Sequence, residues 1–260
     1  MSTPLDDLFV KVRSENRAAL IAYIPAGFPT IEGCKKVIQA FVEGGVDAIE
    51  IGFPYSDPVM DGPTIQAAAD QSLSQGTNAA DVFAALKVAT NSGVPAVVMT
   101  YWNPIEKYGV EKFAESIAVN GGSGVITPDL TIEESTGWKS AVEKNEINPI
   151  YVVAPSTSAQ RLPQVTSRCG GFVYAASLMG VTGARSAVSS GAPDLVARIR
   201  ATTELPVAVG LGVSTREQAK GVAGYADGVI VGSAFIKAMQ DAPNEAEGLK
   251  SVKELAQQLS

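Results

Sequence analysis

The residues best placed to do chemistry are carboxylates, because the chain contains no histidine. Without imidazole, neither a Ser-His-Asp nor a Cys-His nucleophile can be assembled. His-based metal sites go too, and two cysteines alone cannot build a zinc site, so no metal is expected. Proton transfer falls to carboxylates, Tyr, Lys, Cys or water. One carboxylate stands out. Ala48-Ile49-Glu50-Ile51-Gly52 alternates small or charged residues with bulky apolar ones, and side chains alternate sides along a strand. With Ile49 and Ile51 facing helices, Glu50 points into the sheet's interior, and Ala48 and Gly52 leave room around it. Burial there raises a carboxylate pKa from about 4.3 toward neutrality. That suits a group which both gives and takes protons at pH 7. The competing reading is a buried ion pair with Lys or Arg. Every lysine lies in a segment that reads as helix or loop, and Arg17 borders the first strand at its far end, so the catalytic reading is preferred.

The loop after this strand, Phe53-Pro54-Tyr55-Ser56-Asp57-Pro58-Val59-Met60-Asp61-Gly62-Pro63, brings two further acids. Asp61-Gly62-Pro63 stands just before a helix, so Asp61 reads equally as an N-cap or Asx turn and as a second functional carboxylate. For Asp57, before Pro58, the turn reading is preferred. Glycines then cluster late in the chain. Gly180-Val181-Thr182-Gly183 follows the sixth strand, Gly210-Leu211-Gly212 ends the seventh, and Gly232-Ser233 ends the eighth and opens a short helix. Glycines let backbone N–H groups approach an anion, and a helix N-terminus adds partial positive charge. The pattern reads as a phosphate cradle, with ordinary tight turns as the alternative. The Gly-, Ser-, Thr- and Ala-rich stretch Gly180–Pro193 reads as a lid that excludes water, against a merely long, loose loop.

These residues need a scaffold that gathers strand ends. Short apolar, β-branched runs recur at Ala18–Pro25, Ala48–Phe53, Ala96–Tyr101, Gly124–Pro128, Pro149–Ala154, Gly171–Ala176, Pro206–Gly210 and Gly228–Val231. Such runs fit fully buried parallel strands. Helical periodicity marks Ile31–Gly44, Ala79–Ser92, Thr131–Asn145, Thr215–Ala223, Ser233–Gln240 and Glu245–Leu259, and Thr131 with Glu134 has capping-box spacing. The alternation predicts an α/β fold, a single (β/α)8 TIM barrel over residues 1–260. Extra helices are expected at Pro4–Arg13, capping the barrel floor, and after strands two (Pro63–Gln75) and eight. An open doubly wound sheet would want an early G-x-G-x-x-G turn, which Pro25-Ala26-Gly27-Phe28-Pro29 is not. Active sites of such barrels lie at the C-terminal ends of the strands, where the residues above fall.

Composition sets the outer limits. Hydrophobic residues make up 46% and charged residues 18% of the chain, enough for a large core. The net charge of −7, with no Lys/Arg cluster larger than a pair, argues against nucleic-acid or anionic-membrane surfaces. Met1–Arg13 has no cationic stretch ahead of an apolar run, so no signal peptide is expected, and no apolar stretch is long enough to span a bilayer. Cys34 and Cys169 lie far apart in segments that read as helical, so no disulfide framework is implied and a cytoplasmic location is expected.

Taken together, the motifs resemble a known family. Ile49-Glu50-Ile51-Gly52-Phe53-Pro54-Tyr55-Ser56-Asp57-Pro58-Val59-Met60-Asp61-Gly62-Pro63-Thr64-Ile65-Gln66 is similar to the signature of the tryptophan synthase alpha subunit. Met99-Thr100-Tyr101-Trp102-Asn103-Pro104, Tyr174 with Ser177, Gly180-Val181-Thr182-Gly183-Ala184-Arg185, Gly210-Leu211-Gly212-Val213-Ser214 and Val231-Gly232-Ser233-Ala234 follow in the family's order and spacing. The resemblance implies a lyase that cleaves indole-3-glycerol phosphate to indole and glyceraldehyde 3-phosphate by a reversible retro-aldol reaction in tryptophan biosynthesis. It implies Glu50 as acid/base and Asp61 as the carboxylate that holds the indole N–H, with Tyr174 in support. Tyr23, Tyr101 and Leu211 match positions lining the indole pocket, and Thr182 matches a lid residue that closes toward Asp61. Gly183, Gly212, Gly232 and Ser233 match the phosphate cradle.

The resemblance also implies a partner, a beta subunit that carries pyridoxal phosphate and receives indole in an alpha2beta2 heterotetramer. Asp57, Pro58, Asn103 and Pro104 match the docking surface. No strand lysine suits a Schiff base, so no cofactor is expected in this chain. Two departures are Thr131, where the family often has proline, and Phe28, where many members have aspartate. Competing functions are another sugar-phosphate barrel (an isomerase or Schiff-base aldolase), a stand-alone lyase releasing indole, and a silent barrel that only activates its partner. The missing strand lysine and histidine argue against the first. The presence of Glu50, Asp61 and the late glycines argues against the last.

Overall fold

The computed structural model describes residues 2–176, 191–210 and 212–260. Its strands are β1 (Ala19–Pro25), β2 (Ala48–Gly52), β3 (Ala96–Met99), β4 (Gly124–Ile126), β5 (Asn148–Ile150), β6 (Val152–Val153), β7 (Val173–Ala176), β8 (Val207–Gly210) and β9 (Gly228–Val231). They form one sheet in the order β5-β4-β3-β2-β1-β9-β8-β7-β6, paired in parallel. The two ends of that order are halves of one run, the expected fifth strand, divided at Tyr151. On one side the Thr127 N–H donates to the Ile150 carbonyl (3.2 Å). On the other the Tyr174 N–H donates to the next carbonyl, that of Tyr151 (3.2 Å). The sheet therefore curls into the expected (β/α)8 barrel. Its strands are buried almost throughout, because helices cover the outside while side chains fill the inside.

Most expected helices form within a residue of their ends: Ile31–Gly44, Pro63–Ser74, Ala79–Asn91, Arg216–Ala223, Ser233–Gln240 and Glu245–Leu259. The helix expected from Thr131 begins only at Thr136. Thr131 and Glu134 do meet, hydroxyl to carboxylate at 3.1 Å, but within a turn ahead of the helix rather than as its cap. Cys169 is not helical, since the short helix before it ends at Thr166; both cysteines are free thiols. Trp102–Tyr108, Val110–Val119, Leu162–Thr166 and Ala192–Arg200 are helices the sequence reading did not name. The last, with its N-cap Gly191, takes in the end of the expected lid; residues 180–190 of that stretch lie outside the described residues. Among the described residues no helix is long and apolar enough to cross a membrane.

The N-terminal helix Pro4–Ser14 closes the barrel floor, as expected. Thr3 and Asp6 form a capping box around Pro4, which sits where a missing N–H costs nothing. Leu5, Leu8, Phe9 and Val12 form its buried face, and the Phe9 ring packs tilted against Phe172, just before β7, with centroids 5.6 Å apart. Arg13 reaches the buried Asp227 (2.9 Å), which Arg200 also binds (3.0 Å). With the floor sealed, the opening at the strand C-termini is where a substrate can enter.

Candidate active site

Parallel register sets Glu50 beside Tyr23 of β1 and Val97 of β3. Its side chain is 1% exposed, and neither carboxylate oxygen has a hydrogen-bond partner among the described residues. Among the described residues no Lys or Arg pairs with Glu50, and Arg17 binds Asp47 (2.8 Å) and Glu15 (2.7 Å) at the opposite end of the barrel. Burial, reinforced by the charge of Asp61, pushes the Glu50 pKa from its ordinary 4.5 up to about 8. At neutral pH the group is therefore mainly a carboxylic acid.

Asp61 occupies a different setting. The N-cap of the helix Pro63–Ser74 is Gly62, with Pro63 opening the helix and no side-chain cap. Asp61 is thus not the cap, and the alternative left open by spacing alone is closed. Its carboxylate instead accepts a hydrogen bond from the Tyr101 hydroxyl (3.1 Å), while the same hydroxyl accepts from the Met60 N–H (3.2 Å). Burial raises the Asp61 pKa, and the Tyr101 bond works against that rise. Nothing comparable steadies Glu50. The two carboxylates are thus driven apart, with Asp61 the better anion and Glu50 the better acid.

Two buried tyrosines flank them. Burial, then Asp61 and Glu50, hold the Tyr23 phenol well above its ordinary pKa; burial, then Glu50 and Asp61, do the same for Tyr174. Both remain neutral donors. Tyr23 depends on missing side chains: a Cβ on Gly52 would lie 2.4 Å from its hydroxyl, and one on Gly232 would lie 2.9 Å from its ring. Gly232, singled out for phosphate, therefore also makes room for Tyr23. Gly212 is different. It has φ +66, and a Cβ there would meet nothing within 4 Å, so its backbone faces open space. The helix Ser233–Gln240 begins beside it with no side-chain cap on its first turn.

The cleft is lined by Tyr23, Glu50, Asp61, Tyr174, Gly212, Gly232 and Ser233, with Met60, Ile65, Met99 and Ile230 as its apolar wall. The sequence reading missed that wall. Met99 ends β3 and Ile230 is the last residue but one of β9, so a residue-by-residue reading of strand ends would have found them. Tyr101 is not on the lining but stands behind Asp61. Leu211, Thr182 and Gly183 lie outside the described residues. Asp57 and Pro58 follow β2, and Asn103 and Pro104 follow β3, so the neighbouring strand ends place them on one rim. The rings of Tyr55 and Tyr101, 5.3 Å apart, join the two loops. Asp57 caps no helix; its exposed carboxylate accepts from the Ser56 hydroxyl (2.6 Å). Among the described residues no cluster of His, Cys, Asp and Glu could hold a metal ion.

A family model described as tryptophan synthase alpha chain matches residues 9–260. The tryptophan synthase alpha chains of Streptomyces avermitilis and Streptomyces coelicolor are each 53% identical to this chain over 257 residues. The alignments span 98% of this chain and 93% and 95% of theirs. A chain from a Mycobacterium tuberculosis tryptophan synthase structure superposes with a TM-score of 0.91 at 46% identity, covering 98% of both chains.

Proposed function

The chain belongs to the tryptophan synthase alpha chain family, and from that membership we propose that its cleft cleaves indole-3-glycerol phosphate through Glu50 and Asp61. The observation that carries the reading is the unequal pair of carboxylates at one barrel mouth, Glu50 fully buried and Asp61 half-buried with a phenol donating to it. Glu50, protonated at neutral pH, gives its proton to indole C3. The ring nitrogen then bears positive charge, which the Asp61 carboxylate stabilises where it develops. Glu50, now a carboxylate, removes the proton of the glycerol hydroxyl next to the ring. The carbon–carbon bond breaks, its electrons return to the ring, and indole and glyceraldehyde 3-phosphate leave. Glu50 ends protonated, as it began. Tyr174 and Tyr23, as neutral donors, support the acid and the glycerol oxygens, and the apolar wall takes the indole ring.

The phosphate is held by backbone N–H groups at Gly212 and at the Gly232–Ser233 helix start, with Gly183 completing the cradle. Thr182 and Leu211 keep their proposed places as lid residue and pocket liner. The rim of Asp57, Pro58, Asn103 and Pro104 is the docking surface for a beta subunit in an alpha2beta2 assembly. Pyridoxal phosphate needs a Schiff-base lysine, and among the described residues no lysine lines this cleft; that cofactor is assigned to the partner. Incubating the chain with indole-3-glycerol phosphate, alone and with a beta subunit, tests the proposal. Indole must appear, and Asp61→Asn must suppress it. No indole in either mixture contradicts it.

A further inference from the structure

Asp61 is held from behind, and so is the residue that holds it. Tyr101 is the N-cap of the helix Trp102–Tyr108, yet its own side chain makes no capping bond. The first helical N–H, that of Trp102, donates instead to both carboxylate oxygens of Asp129, at 2.9 and 3.1 Å. Asp129 comes from a different strand end, three residues past β4, so the cap is supplied by the neighbouring strand's loop rather than by the helix's own N-cap residue. A carboxylate also suits the positive end of a helix dipole. The bond fixes the peptide joining Tyr101 to Trp102, and with it the placement of the Tyr101 ring. From there the phenol reaches the Asp61 carboxylate (3.1 Å) and the Met60 N–H (3.2 Å).

We infer that Asp129 is a positioning residue for Asp61, acting through the Trp102 N–H and the Tyr101 phenol. The inference rests on the role proposed for Asp61 above. The groups facing Asp61 are Glu50 from β2, Tyr23 from β1, Tyr174 from β7 and Tyr101 from the end of β3. The Tyr101 bond lowers the Asp61 pKa. Loosening it raises that pKa, so the acid limb of kcat/KM moves to higher pH.

The test is a double-mutant cycle on the full chain, read by indole release from indole-3-glycerol phosphate across pH. Tyr101→Phe is expected to lower kcat by about ten- to a hundredfold, the loss of a hydrogen bond to a charged group. Asp129→Ala is expected to lower kcat by a smaller factor, about three- to tenfold, with KM little changed and the acid limb moved in the same direction. Asp129→Asn, which keeps an acceptor, recovers most of that loss. The double variant is expected to be no slower than Tyr101→Phe alone, because one path is already cut. Losses that multiply, or an Asp129→Ala variant within about twofold of wild type, overturn the inference. Should Asp129→Ala not fold, Asp129→Glu, whose longer arm displaces the acceptor, goes through the same cycle. Asp61→Asn separates the two levels. If it turns over normally, the role of Asp61 falls; if it is inactive while the cycle multiplies, only the role of Asp129 falls.

Discussion

Replacing Glu50 with glutamine should make the protein more stable, and increasingly so as pH rises. A fully buried acid whose pKa is raised from 4.5 to about 8 holds its proton in the fold over a range where the unfolded chain has lost it. Such a group favours folding most below the unfolded pKa, and that advantage fades as pH climbs through the folded pKa. At about 1.36 kcal/mol per pH unit, the interval from 4.5 to about 8 amounts to about 5 kcal/mol, taken as a ceiling because the cleft can relax and admit water. Glutamine has nearly the shape of the protonated acid and does not titrate. Below about pH 5 the two proteins should therefore match. Above it the variant should gain, steeply to about pH 8 and then levelling off. Urea unfolding of both proteins at half-unit steps across this range measures the difference directly. A stability difference independent of pH would refute the reasoning, because it would mean that Glu50 does not titrate abnormally in the fold.

Other consequences are equally specific. Gly52→Ala places a methyl 2.4 Å from the Tyr23 hydroxyl, so overpacking of about 1–3 kcal/mol is expected; thermal melting and indole release should both fall, and wild-type values for both would contradict the packing. Asp227→Asn should cost about 1–2 kcal/mol at neutral pH, less than a fully buried pair because Arg13 and Arg200 are 41% and 44% exposed. Burial raises the Asp227 pKa, but the Arg13 bond, the Val207 N–H and the charge of Arg200 outweigh it and hold the group below its ordinary 3.8. That contribution is present above the unfolded pKa and lost as pH falls through the folded one. The gap between wild type and variant, followed by acid denaturation, should therefore close on acidification rather than widen.

The difference between what could and could not be read beforehand is physical. Glu50 was legible because a charge interrupting an apolar alternation has few explanations, and with Arg17 committed elsewhere only one survived. Asp61 was not resolved by spacing, because a residue before Gly-Pro satisfies a capping pattern whatever else it does. The deciding partner, Tyr101, lies 40 positions away. The helix Trp102–Tyr108 was hidden by Pro104, which reads as a breaker yet is harmless in a first turn. The helix Val110–Val119 was legible but unread: Phe113, Ala114 and Ile117 form its buried face at helical spacing. The break at Tyr151 has no local signature, since it arises where one strand turns from neighbour β4 to neighbour β7 as the barrel closes. Thr131 and Glu134 have capping-box spacing and do bond, but side chain to side chain. A motif of four residues cannot say which turn of the chain it will close.

In the proposed reaction Glu50 carries the proton in both directions. Single-turnover indole release by Glu50→Gln, at saturating indole-3-glycerol phosphate, tests it alongside binding of glycerol phosphate to the same variant. Release should fall by at least about a hundredfold, the typical worth of a positioned acid/base, while phosphate binding stays as in wild type. Release at the wild-type rate would mean that Glu50 does not carry the proton.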